Sequence, residues 1–156
     1  MEATQPLMDS IQEERPNVKE AVPFLAVSNM AASIRYYVNG LGFTIEQQWV
    51  DKGKLRWCWL QQGGAGLMLQ EFATTGHDSW VPSGKVGEGV TIYFICADAI
   101  AIYDAITTRQ IDAKEPVVSN GMWSTTLVDP DGYRLAFESE TAVPEGTKLQ
   151  TMRQSM

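Results

Sequence analysis

The feature that most constrains this chain is an order of elements that occurs twice. A strand-length apolar run, Ala21 to Val27, is followed by Asn29, whose side chain suits a helix N-cap, and then by Met30, Ile34, Tyr37, Val38 and Leu41 at helical spacing. Gly40 and Gly42 close that helix. Three strand candidates follow, Phe43 to Val50, Leu55 to Gln61 and Leu67 to Phe72, with turn chemistry at Asp51-Lys-Gly53 and Gly63-Gly64. The order then repeats. Gly89 to Cys96 reads as a strand, Asp98 caps a helix carrying Ala99, Ile102, Tyr103 and Ile106, and strands follow at Pro116 to Ser119, Met122 to Val128 and Tyr133 to Glu138. The last two are joined by Asp129-Pro-Asp-Gly132, a strong tight-turn signal. Residues 1–19 and 140–156 lack sustained periodicity and read as tails around a domain at 20–139, with modules at 20–72 and 88–139.

Composition limits what such a domain can do. The 156 residues carry a formal charge of −7, which argues against nucleic acid or an anionic membrane surface. No run approaches a membrane span of roughly 20 apolar residues, and the N-terminus has no signal-peptide pattern, so the expected location is the cytoplasm. Cys58 and Cys96 both fall in strand-like runs, where a thiol acts as a small apolar group, and no disulfide is expected. The single histidine, His77, stands in the loop Thr74 to Ser79 and reads as a solvated residue. No nucleophile elbow, phosphate loop or Cys/His cluster is present.

Two segments carry a resemblance. Val22-Pro-Phe-Leu-Ala-Val-Ser-Asn-Met-Ala-Ala-Ser-Ile-Arg-Tyr-Tyr-Val-Asn-Gly-Leu-Gly-Phe43 looks like the opening strand and helix of the vicinal-oxygen-chelate superfamily, which includes glyoxalase I, extradiol dioxygenases and bleomycin-resistance proteins. Asn120-Gly-Met, continuing to Asp129-Pro-Asp-Gly-Tyr-Arg-Leu-Ala-Phe137, is similar to its closing hairpin. The resemblance covers about residues 20–139. It implies an α+β fold of two β-α-β-β-β modules, each a cupped mixed sheet with its helix on the outer face.

Strand alternation then sorts side chains between faces. Leu25, Val27, Leu67, Leu69, Ile92, Phe94, Leu135 and Phe137 share the outer parity. Phe24, Ala26, Met68, Gln70, Thr91, Tyr93, Ile95, Arg134, Ala136 and Glu138 share the inner one. In metal-dependent relatives the cup holds an ion, and the resemblance puts Val22, Met68, Thr91 and Ala136 at those ligand positions. None offers imidazole or carboxylate, so no metal and no other cofactor is expected. Glu138 has inner parity but is one carboxylate, and Glu71 has the wrong parity without a bulge.

Five tryptophans offer stacking surface to planar ligands and cation-π attraction to positive ones. The expected ligand contacts are Phe24, Trp49, Trp57, Trp59, Met68, Gln70, Thr91, Tyr93, Trp123 and Glu138, with no catalytic residue. The acidity, the aromatic richness and the Val22-Pro23 start resemble the metal-less bleomycin-resistance proteins. That likeness implies a homodimer that sequesters an aromatic or cationic small molecule in a cup between subunits and serves antibiotic resistance. The alternative is a metal-dependent lyase or isomerase related to glyoxalase I.

Overall fold

In the first module the Asn29 side chain fixes where the helix begins. Its Oδ1 accepts the Ala32 N–H at 3.0 Å, from an extended backbone at φ −144°. The computed structural model describes residues 16–73 and 80–156. Strand β1 (Phe24–Val27) leads into helix α1, which runs as α-helix over Met30–Ile34 and widens to a π-helical turn over Arg35–Gly40. A regular helix was expected here. Widening leaves Gly40 against the Ile111 side chain, where a Cβ would collide.

Strands β2 (Thr44–Asp51), β3 (Lys54–Gln62) and β4 (Ala65–Glu71) complete the module. The second comprises β5 (Thr91–Ile95), α2 (Ala99–Thr108), β6 (Val117–Ser119), β7 (Met122–Val128) and β8 (Arg134–Glu140). Each module forms one four-stranded mixed sheet, ordered β1-β4-β3-β2 and β5-β8-β7-β6. The pairs β1·β4 and β5·β8 are parallel, and the others are antiparallel. This is the expected α+β architecture.

The duplication extends to the helix starts. Asp98 repeats the role of Asn29, its Oδ1 accepting the Ala101 N–H at 2.9 Å. The first helical N–H of each module is taken by a side chain from that module's last strand, Met30 N–H by Glu71 Oε2 at 2.8 Å and Ala99 N–H by Ser139 Oγ at 2.9 Å. Glu71 therefore lies on the helix side of its sheet, as its parity implied.

One apolar core joins the outer faces of both modules. Leu25, Val27, Tyr37, Phe43, Leu60, Leu67 and Leu69 from the first meet Phe94, Ile106, Leu135 and Phe137 from the second. Phe94 stacks on Phe137 at 5.0 Å and meets Phe43 edge-on at 5.8 Å across the module boundary. The β7–β8 turn adds a polar clamp. Tyr133 accepts the Ala26 N–H at 2.9 Å and donates its hydroxyl to the Ala26 carbonyl at 3.0 Å. Asp131 accepts the Ser28 N–H, and the Tyr37 hydroxyl donates to Asp129 at 2.7 Å. The bonds from Tyr133 and Asp131 satisfy the outer edge of β1 and the residue after it, an edge with no strand beside it among the described residues.

The expected C-terminal tail is instead part of the fold. Beside β6, Val118 N–H donates to the Thr147 carbonyl and Gly146 N–H to the Val118 carbonyl, both at 2.9 Å. Helix α3 (Leu149–Gln154) then seats Leu149, 1% exposed, on Ala99, Val118 and Trp123. Arg153 grips Asp104 of α2 through two bonds, at 3.1 and 2.7 Å, which draws the Asp104 carboxyl below its usual range. The segment is too short to show a period, and its apolar partners lie far away in sequence. Its order was therefore not legible from residue spacing. No described helix is long and apolar enough to cross a membrane.

Candidate functional site

With the outer faces packed together, the inner face of each sheet turns outward. Register places side chains in rows across these faces. On the first sheet, Phe24, Met68, Trp59 and Gln47 form one row, and Ala26, Gln70, Trp57 and Trp49 the next. On the second, Thr91, Arg134 and Val128 form one row, Tyr93, Ala136 and Thr126 the next, and Ile95, Glu138 and Ser124 the third.

The duplication puts Phe24 and Tyr93 at corresponding points, facing Met68 and Ala136. Both aromatic rings are open, Phe24 at 46% and Tyr93 at 59% exposure. Trp49 and Ile95 are also exposed, whereas Trp57 and Trp59 are half-buried, with Trp59 Nε1 held by Gln61 Oε1 at 2.8 Å. Thus Phe24, Trp49, Trp57, Trp59, Met68 and Gln70 lie on one wall, and Thr91, Tyr93 and Glu138 on the other.

Trp123 does not join them. It pairs with Ser139, on the face opposite Glu138, and is buried at 5% exposure beneath α2 and α3. Its parity matches Leu127, so the ring serves the core. Trp80, which had carried no ligand role, packs edge-on against Phe24 at 5.6 Å and Phe72 at 6.4 Å. Backbone bonds in both directions between Ala73 and Trp80 hold it there. A tryptophan outside any periodic run gives no sequence signal for such a position.

Two open hollows border the walls. One, about 670 Å³, runs beside β5 and takes in Pro23, Ala65, Tyr93, Ile95 and Cys96. The other, about 920 Å³, lies over the second wall, with Thr91, Tyr93, Thr126 and Arg134 among its lining residues.

The ionisable groups with displaced pKa values lie mostly outside these hollows. Burial pushes the Cys58 thiol up to about 11 and raises Cys96 as well. Burial also holds the Asp129 carboxyl above its usual 3.8, against the bonds from Tyr37, Tyr133 and Asp131 that pull it down. For Glu71 burial acts upward too, but Lys54 at 2.7 Å, the Met30 N–H and Arg56 at 3.3 Å outweigh it, and the net shift is below 4.5.

Glu71 thus favours the folded state when ionised. Its contribution is fully present above about pH 4.5 and is lost as pH falls through the lowered folded value. Asp129 has the opposite sign. Its share is present below pH 3.8 and lost as pH rises through the raised folded value. The thermal-stability gap between wild type and Glu71→Gln is therefore expected to be largest near pH 6 and to shrink toward pH 3. A gap that stays constant across melts in that range would contradict this assignment.

Among the described residues no three His, Cys, Asp or Glu side chains converge as a metal group would require. His77 lies outside the described residues. The side chains at the four positions that the resemblance assigns to an ion, Val22, Met68, Thr91 and Ala136, do not fit one: an aliphatic chain, a thioether, a hydroxyl and a methyl. Ala136 is wholly buried between Tyr93 and Thr126 in register.

The chain is similar in fold to several solved structures. TioX from Micromonospora sp. ML1 superposes with a TM-score of 0.65 at 17% identity, covering 80% of this chain and 100% of its own. TnmS3, an antibiotic binding protein from Streptomyces sp. CB03234, gives 0.63 at 16%, covering 81% and 100%. A bleomycin-binding protein complexed with bleomycin gives 0.59 at 20%, covering 80% and 100%. At such identities the likeness is one of fold. No curated protein sequence matches the chain. The family described as "Glyoxalase/Bleomycin resistance protein/Dioxygenase superfamily" matches residues 19–137. That match spans well over half of the sequence, and the chain belongs to this superfamily.

Proposed function

We propose that this protein is a metal-free small-molecule binding protein that sequesters an aromatic ligand, with a role in antibiotic resistance. The observation that carries the reading is the pair of open aromatic walls, with Phe24 and Tyr93 at equivalent points and no metal-ligating side chain at the four positions named above. A flat molecule would stack on Phe24, Trp57 and Trp59 on one side and on Tyr93 on the other, with Gln70 and Thr91 as hydrogen-bonding groups. Each wall alone is open to solvent. Two copies of the chain, each offering one wall to the other, would close a cup at a dimer interface, which accounts for apolar side chains as exposed as Ile95 at 71%. Cytoplasmic sequestration is the corresponding role in the cell.

The test is titration of the purified protein with metal-free bleomycin and a panel of soluble planar aromatics of both charge signs, following tryptophan fluorescence and thermal stability. At least one compound should quench with a micromolar Kd, and Trp57→Ala should weaken it about fivefold, the effect of roughly 1 kcal/mol of stacking. Absence of quenching and of thermal shift for every compound would sink the reading. Stoichiometric Zn, Ni, Mn or Fe retained after dialysis would overturn its metal-free part.

A further inference from the structure

The net charge of −7 favours cations at long range, yet the charges on the walls themselves are distributed differently. The two central rows of the first wall, Phe24, Met68, Trp59 and Gln47 with Ala26, Gln70, Trp57 and Trp49, carry no charge. The hollow of about 920 Å³ over the second wall is bordered by two cations, Arg134 and Lys114, against one carboxylate, Asp112. Among the described residues neither cation makes an ion pair. Glu138 is four residues along β8 from Arg134, about 13 Å away on a strand rising about 3.3 Å per residue.

We infer that the ligand is an aromatic molecule bearing an acidic group, with its anion received at the Arg134 and Lys114 end of the second wall. The inference rests on the binding reading above and specifies its ligand. A guanidinium presents a planar fork that matches a carboxylate in two parallel bonds. Thr91 sits beside Arg134 in register and can add a hydroxyl donor. Tyr93, one row further along the same strand, can stack on the ring to which the acid is attached. Long-range attraction of cations by the acidic chain is screened beyond about 8 Å at physiological ionic strength. Groups in contact with the ligand therefore decide its charge. A cationic ring at this end would meet Arg134 directly, whereas an anion there would face two cations against the one carboxylate of Asp112, with Glu138 four residues further along β8.

Three soluble probes separate the outcomes: anthraquinone-2-carboxylate, its neutral 2-hydroxymethyl analogue and the cation proflavine, each titrated against wild type and Arg134→Gln. Arg134 is exposed, so the variant should fold, and its melting curve checks this. The carboxylate is expected to bind about tenfold more tightly than the neutral analogue. In Arg134→Gln that preference should fall to about twofold or less, chiefly through weaker binding of the carboxylate. Equal affinities for the two anthraquinones, tighter binding of proflavine, or a preference that survives in Arg134→Gln would overturn the anion assignment and leave the binding reading standing. No binding of any probe to wild type would overturn both.

Discussion

Replacing Tyr133 with phenylalanine is expected to destabilise the protein by about 3 kcal/mol and to lower its melting temperature by about 10 °C. The hydroxyl serves two buried backbone groups at once, the N–H and the carbonyl of Ala26, at 2.9 and 3.0 Å. Phenylalanine keeps the ring but leaves both groups without a partner where water is excluded. An unsatisfied buried polar group costs about 1–3 kcal/mol. Tyr36→Phe is the control, because its hydroxyl reaches the exposed Val128 carbonyl only at 3.4 Å. That change should cost about 0.5 kcal/mol or less. Urea denaturation of the two variants checks the pair, and equal losses would show that the clamp is not the source.

The second large effect is expected at the C-terminus. Leu149→Ala should cost about 3 kcal/mol, within the range for truncating a fully buried leucine. Leu149 is 1% exposed and covers Val118 and Trp123, at 2% and 5%. Removing residues 144–156 should cost more, because it also strips the backbone partners Thr147 and Gly146 from Val118 at the edge of the sheet. The checks are denaturation midpoints together with the emission maximum, which should move to longer wavelength as Trp123 meets water. A truncated chain with unchanged midpoint and emission would mean that the segment lies on the surface without supporting it.

Much of the architecture was legible because it rests on local rules. Asn29 and Asp98 mark helix starts by side-chain chemistry alone, and both accept the expected N–H. Alternation along β4, β5 and β8 separated Leu67, Leu69, Leu135 and Phe137 from Met68, Ala136 and Glu138, as the register bears out. Features that depend on distant partners were not legible. The widened turn of α1 accompanies Gly40 against Ile111, 71 positions away in the chain. Trp123 looked like a ligand contact until the β7·β8 register put it on the core face. Arg134 has inner parity in the sequence, but the net charge of −7 points to a cationic ligand, and only the β5·β8 register sets Arg134 beside Thr91.

The orientation of the two sheets has a consequence for how the protein can change. Leucine and phenylalanine side chains on one side of each sheet hold the modules together, and the exposed side chains proposed above to meet a ligand project from the other. A strand residue belongs to only one of these sets. Trp49, Tyr93, Ile95 and Arg134 can therefore be exchanged at small cost to folding, whereas their immediate neighbours on β5 and β8, Phe94 and Leu135, cannot. Under the proposed binding role, selectivity could drift along every second position while the scaffold stays fixed, which would make these walls a natural starting point for directed evolution of new binders.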